Sequence, residues 1–279
     1  KSMFSKMVSL KDVTWKREGK AILNHISWDV NENEHWVILG LNGSGKTSIL
    51  NVLTGYQWAS SGVVQVLGQT FGETNVPELR KSIGWVSSSV DDRFSARGTD
   101  TALEVVLSGK HASIGLYEEV TNDDKIRAKK WLKELHIESL ENRHVMSLSQ
   151  GEKRRVMIAR ALMASPDILI LDEPCNGLDI FSREQLLETI QTLATTKGGP
   201  TLLYVTHHIE EVVPAISHAL LIHNGSIVAK GEKRTTLTEN NLEKTFQLPV
   251  SLTWEDERLW VSIKSKTKTR EVGLYELSD

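Results

Sequence analysis

The sequence predicts an α/β fold: a mainly parallel sheet, an antiparallel β portion ahead of it, and a helical segment inserted in its middle. Three observations carry that prediction. Short apolar runs such as Trp36–Leu39, Ile168–Leu171 and Ala219–Ile222 alternate with segments of helical apolar spacing. A glycine-rich stretch, Gly40–Thr47, stands between one such run and a helix-like segment. A second apolar run ends in the acidic pair Asp172-Glu173. Strands separated by helices need crossovers on the faces of the sheet, which implies parallel order.

Taken in order, Val8–Trp15 alternates loosely, Gly19 interrupts, and His25–Val30 resumes as strand. His35–Leu39 reads as a short buried strand ending at Gly40, followed by a helix over Lys46–Leu53 that Gly55 stops. Val63–Leu67 is a strand closed by Gly68. Thr101–Gly109, Asp123–Leu135 and Glu152–Met163 then carry apolar residues at helical spacing with charged faces between them. Strand and helix alternate again through Ile168–Leu171, a helix from about Ser182, Leu202–Thr206, a helix from about Ile209, and Ala219–Ile222. Ser182 and Gln185 have the spacing of a capping box. After the tight turn at Asn224-Gly225 come a strand over Ser226–Lys230, a helical stretch over 232–248, and strands at Val250–Trp254 and Leu259–Ile263. The run Lys264–Arg270 reads as a solvated charged stretch.

The 279 residues are enough to bury a core without staples, and 39% apolar with 25% charged residues excludes wholesale disorder. With 33 basic against 36 acidic residues, the net charge of −3 lacks the basic footprint of a general nucleic-acid binder. One cysteine, Cys175, excludes an intrachain disulfide framework and fits a reducing compartment. No apolar run approaches the roughly 20 residues of a membrane span, and no basic-then-apolar leader pattern opens the chain. Composition alone therefore points to a soluble cytoplasmic protein.

Gly40-Leu41-Asn42-Gly43-Ser44-Gly45-Lys46-Thr47 is a complete Walker A sequence. Its glycines let successive N–H groups, with Ser44 and Ser48 beside them, curl around phosphate oxygens at the positive end of a helix. Lys46 neutralises the β and γ phosphates, and Thr47 offers its hydroxyl to Mg²⁺. This establishes nucleotide binding and leaves kinases, GTPases and several ATPase classes open, although no Asn-Lys-Xaa-Asp guanine reader is present. Ile168–Leu171 with Asp172 and Glu173 is a Walker B pattern: Asp172 at a strand tip holds Mg²⁺ through water, and Glu173 reaches the attacking water.

Between the two lies Leu148-Ser149-Gln150-Gly151-Glu152, leading into a basic helix. Ser149-Gln150-Gly151 resembles the signature motif of ATP-binding cassette (ABC) ATPases, whose common form is Leu-Ser-Gly-Gly-Gln, so Gln150 and Glu152 are variants. Pro174–Asp179 resembles the family's D-loop with Cys175 in place of serine, and Thr206-His207 resembles its switch histidine. Trp15 stands where the family places an aromatic that stacks on adenine, with Trp28 and Trp36 as competing aromatics. Ile83–Ser88 resembles the strand leading to the Q-loop, but Ser88 takes the place of glutamine, which weakens that Mg²⁺ contact and the link between subdomains. Parts of the helical insert, including Val105–His111 and Gly115-Leu116, are similar to ATPases of metal-chelate importers and of systems related to molybdenum uptake.

The resemblance implies a P-loop NTPase of the ABC ATPase type over residues 7–248, with a helical subdomain at about 90–162 and a β-rich extension over 249–279. It implies an ATP-hydrolysing subunit of a membrane transporter, an importer by its insert. ATP with Mg²⁺ would lie between the Walker A of one copy and Ser149–Gly151 of a second copy or a paired ATPase. Glu173, His207 and Lys46 are the implied catalytic residues. The pore would belong to a separate membrane permease, placing this subunit at the inner face of the cell membrane. Two other uses of the engine remain open: a soluble ABC ATPase acting on ribosomes or DNA, and a nucleotide-dependent regulator with little turnover.

Overall fold

The computed structural model describes residues 6–87, 100–111 and 120–264 of the chain. Strands β1 (Lys6–Arg17) and β2 (Lys20–Asn31) form a long antiparallel hairpin around Gly19. β4 (Ser61–Val66) pairs with the other edge of β1, and the short β5 (Gln69–Thr70) follows it, so this sheet has the order β2-β1-β4-β5 and is wholly antiparallel.

The second sheet has the order β10-β9-β3-β8-β7-β6. Its five strands β9 (His218–His223), β3 (Trp36–Leu39), β8 (Thr201–Thr206), β7 (Ile168–Asp172) and β6 (Ile83–Ser87) run parallel. Only β10 (Ser226–Glu232), joined to β9 by a tight turn, runs antiparallel. Strand side chains alternate between faces, and here both faces are buried. Ile38, Ile168, Ile170, Leu203, Val205 and Leu220 enter one core, shared with the first sheet and α1 (Lys46–Leu53). Their neighbours Leu39, Leu169, Leu171, Leu202, Tyr204 and Leu221 enter a second core beneath the other helices. That explains why the strands read as continuous apolar runs in the sequence.

The central segment supplies three packed helices, α3 (Ala102–His111), α4 (Asn122–Glu134) and α5 (Gln150–Met163), after the short α2 (Val76–Leu79). Gly109 lets α3 approach α5 closely, since a Cβ there would run into the carbonyl of Arg160. After β7 comes α6 (Ile180–Thr195), and after β10 come α7 (Lys233–Thr236) and α8 (Glu239–Phe246). A two-stranded hairpin, β11 (Val250–Glu255) and β12 (Arg258–Ile263), ends the described chain.

Two local expectations need correction. Ile209 opens only a single 3-10 turn, Ile209–Glu211, and not a helix. Pro214 lies just beyond, where it would remove an amide donor from any continuing helix, while Val212, Val213 and Ile216 are buried in the larger core without a helix. The capping residue of α6 is Asp179 rather than Ser182: its carboxylate accepts from the Ser182 amide at 2.8 Å and from the Ser182 hydroxyl at 3.1 Å, which starts the helix two residues earlier. Of the charged run after 263, Lys264 is described, and it pairs with Glu239 at 2.7 Å.

Candidate active site

Parallel order aligns the ends of four neighbouring strands. Leu39 is in register with Thr206, Val205 with Asp172, and Asp172 with Ser87. Everything that follows these strand tips therefore emerges on one edge, the usual place for ligands in an open α/β sheet.

From β3 the chain turns through Gly40–Gly45 into α1. Gly40 has no room for a side chain: a Cβ would strike the carbonyl of Ile222 and sit 2.5 Å from Ser44 Oγ. Gly45 is the N-cap of α1 with φ +111°, a left-handed conformation that favours glycine, and a Cβ there would lie 3.0 Å from Leu23. The turn at Gly225 pins the loop, donating its amide to Ser44 O at 2.7 Å and accepting from Asn24 N at 2.8 Å. No side chain caps α1, whereas Thr121, Ser149, Asp179 and Thr238 each cap a helix of their own. The first-turn amides of α1 thus keep their donors for a ligand, and Ser44 Oγ is buried without a hydrogen-bond partner. Such a loop fits the phosphates of a nucleotide.

Lys46 is buried, with Nζ donating to Gly40 O at 2.7 Å and Leu41 O at 3.1 Å. Burial lowers its pKa, opposed by Glu173 and Asp172. Glu173 joins two of the expected catalytic groups: Oε1 is 3.7 Å from Lys46 Nζ, and Oε2 is 2.8 Å from His207 Nδ1. Its backbone is left-handed at φ +50°, a strain of about 1–3 kcal/mol. The peptide is held by its amide to Val205 O at 2.9 Å, while Arg154 donates to Pro174 O at 2.7 Å. Asp172, one residue earlier, is buried at the tip of β7, and burial together with the neighbouring Glu173 charge pushes its pKa up to about 6.

Lys46, Asp172, Glu173 and His207 are therefore assembled within one chain. Thr47 and Asn42 are exposed beside them, Gly43 has φ +79°, and Ser48 is half-buried. Among the described residues, no hydrogen bond or ion pair joins Ser149–Gly151 to the phosphate loop. Ser149 caps α5, accepting from Glu152 N at 3.2 Å while Glu152 accepts from Ser149 N at 2.7 Å. The Glu152 variant thus completes a capping box. Ser149 and Gln150 are exposed, but Gly151 is buried against α6, where a Cβ would lie 3.1 Å from that of Ser182. Gly151 keeps two helices close, a packing role the sequence does not reveal.

Trp15 is half-buried and stands opposite Leu23, the residue that touches Gly45, so it flanks the phosphate loop. Trp28 and Trp36 are buried core residues, packed edge to face with centroids 5.4 Å apart, and neither is available for stacking. Cys175 is buried, with Sγ 3.5 Å from the Tyr204 hydroxyl, and burial raises its thiol pKa to about 12; it is a small core residue and no redox sensor. Ser88 and Gly115-Leu116 lie outside the described residues.

Sequence reasoning missed a buried brace under the site. Glu211 accepts from Tyr204 Oη at 2.8 Å and Thr206 Oγ1 at 2.7 Å, and Thr206 Oγ1 accepts from His208 N at 3.0 Å. Burial raises the Glu211 pKa. Nothing in the pair Glu210-Glu211 distinguishes the buried carboxylate from the half-buried one.

Comparison with known proteins agrees with this geometry. The family model for ABC transporters matches residues 23–176. YlmA, an ABC transporter ATP-binding protein of Bacillus subtilis, is 45% identical over 253 residues, covering 90% of this chain and 95% of that protein. The ATP-binding protein ZnuC of the high-affinity zinc uptake system of the same organism is 30% identical over 240 residues, covering 86% and 99%. A solved ABC transporter described as metal-chelate type, in an inward-facing conformation, superposes with a TM-score of 0.74 at 25% identity, covering 94% of this chain and 97% of that one. The chain belongs to the ABC transporter ATP-binding family, and is an ATP-hydrolysing subunit with the ABC cassette fold.

Proposed function

We propose that this subunit works as a pair of copies that close around two ATP molecules and energise import of a metal ion or metal chelate. The observation that carries the proposal is the Lys46–Glu173–His207 cluster, three groups suited to a γ-phosphate and its attacking water, gathered at adjoining strand tips. That no hydrogen bond or ion pair among the described residues joins Ser149–Gly151 to that cluster supports a composite site, in which the second copy supplies the serine hydroxyl and the α5 N-terminus. In this reading Lys46 and His207 contact the γ-phosphate, Glu173 accepts a proton from the attacking water, and Trp15 stacks on the adenine. Glu173 must leave its present partners as the phosphate takes its place between them.

Thr47 and Asp172 fit Mg²⁺, being an exposed hydroxyl in the first turn of α1 and a carboxylate at the tip of β7, two strands from β3 on the same sheet edge. When bound, Mg²⁺ supplies charge neutralisation across the β and γ phosphates. We assign residues 7–248 to the cassette, about 90–162 to its helical subdomain, and 249–279 to an appended region.

Among the described residues no helix is long and apolar enough to cross a membrane, and in this reading the pore belongs to a separate permease chain. A groove of about 460 Å³ between the sheet and the helical segment, lined by Tyr56, Arg80, Lys81, Trp85, Gly109 and Arg160, suits a cytoplasmic loop of that permease. The subunit would then sit at the inner face of the membrane. No observation favours ribosomal or DNA partners, or a regulator without turnover. Glu173→Gln tests the chemistry: ATP binding should persist while hydrolysis falls about 100-fold or more. Unchanged turnover would remove Glu173 from its role.

A further inference from the structure

We infer that Arg258, on the C-terminal hairpin, is a positioning residue for ATP hydrolysis, holding the segment that carries His207 against the helix that follows the Walker B loop. The inference rests on the reading of His207 as a γ-phosphate contact. The hairpin is firmly seated. Val250 and Leu259 are buried in the larger core, and Glu243 and Glu239 on α8 accept from the amides of Val250 at 3.3 Å and Leu252 at 3.1 Å. The strands stay in register from Val250–Ile263 to Glu255–Arg258, so Arg258 stands at the tip beside the turn at Asp256-Glu257. Arg234 fixes that turn by pairing with Glu257 at 2.6 Å.

From this tip the guanidinium reaches two elements at once. Nη1 donates to Glu184 Oε2 at 2.7 Å and Nη2 to Glu184 Oε1 at 3.3 Å, a two-point grip near the start of α6. Nη2 also donates to the backbone carbonyl of Glu210 at 2.7 Å. Glu210 lies three residues beyond His207, in the single turn that replaces the expected helix. On its inner side that turn is held by Glu211, through Tyr204 and Thr206. Arg258 therefore supplies the outer tether. A direct ion pair from α6 to this turn, Arg183 to Glu210, is longer at 3.9 Å. Because Asp179, which caps α6, ends the loop that follows Glu173, one arginine sets the histidine segment and that loop relative to each other.

A misplacement of about 1 Å can cost up to about 100-fold in rate while leaving binding intact. The test is steady-state hydrolysis of Mg-ATP by the full chain carrying Arg258→Gln, Arg258→Lys, Glu184→Gln, His207→Ala, and Arg258→Gln with His207→Ala. Arg258→Gln should lower kcat about 10-fold with KM for ATP within twofold. Arg258→Lys, which keeps one donor and the charge, should fall between it and the parent. Since Arg258 acts through His207, adding Arg258→Gln to His207→Ala should cost less than twofold more. A full further 10-fold loss in the double variant, or an increase in KM in place of the kcat loss, would overturn the coupling. Lost turnover in His207→Ala with unchanged kcat in Arg258→Gln would overturn the Arg258 inference alone. Normal turnover in His207→Ala would overturn the histidine's role, and the coupling with it.

Discussion

Asp172 is a carboxylate that the nucleotide-free fold tolerates at a cost, and Asp172→Asn exposes that cost. Its pKa of about 6 stands above the ordinary 3.8 because burial and the Glu173 charge disfavour the ionised form. An acid whose folded pKa is raised binds more protons in the folded state, so stability falls as pH rises from about 3.8 to about 6 and stays low above. A shift of about two units is worth about 3 kcal/mol at pH 8. The same linkage leaves roughly half of that at pH 5 and almost none below the unfolded pKa. Asparagine has the same shape and no charge. The nucleotide-free variant should therefore unfold about 5 °C or more above the parent at pH 8, taking about 2–4 °C per kcal/mol for a chain of this size. That gain should shrink by about half at pH 5. Thermal unfolding followed by circular dichroism at the two pH values reads both effects, and hydrolysis should be lost at either. An Asp172→Asn protein no more stable than the parent at pH 8, or one whose advantage grows toward pH 5, would refute the reasoning.

Other outcomes follow from the same geometry. Lys46→Ala should weaken ATP binding itself by at least about 10-fold in equilibrium titration, since it removes a buried charge from the phosphate loop. Gly40→Ala should cost several kcal/mol, about 3 or more, because the new Cβ meets the Ile222 carbonyl; chemical denaturation would measure it. Tyr204→Phe removes one of two donors to buried Glu211 and should destabilise the fold by about 1–3 kcal/mol, read the same way. Glu152→Gln restores the family's usual residue and keeps a capping acceptor, so its melting temperature should stay within about 2 °C of the parent.

Much of the site was legible because its chemistry depends on local sequence. Gly40–Thr47 and the Lys46–Leu53 helix were placed correctly from glycine spacing and apolar period, and the β7 tip from an apolar run meeting two acids. Parallel pairing then brought Glu173 and His207 together, as their places after strands implied. What escaped depends on tertiary contacts. The residues at 209–216 have helical apolar spacing, yet Ile209, Val212, Val213 and Ile216 join the larger core from a single turn and the stretch around Pro214. Gly151 looks like part of an anion site, and only its distance to Ser182 reveals a packing role. Glu211 and Arg258 are charged residues in polar surroundings by sequence, and only burial and reach distinguish them from solvated ones.

The central claim is that each ATP site is shared between two copies, and mixing two inactive variants tests it most directly. Lys46→Ala disables the phosphate loop and Ser149→Arg blocks the partner-facing helix cap, so neither protein alone has a complete site. In a mixed pair, the phosphate loop of the Ser149→Arg chain meets the intact Ser149 of the Lys46→Ala chain. With random exchange in a two-fold dimer, an equal mixture should recover about a quarter of the parent hydrolysis rate. A mixture as inactive as its two components would contradict the shared site.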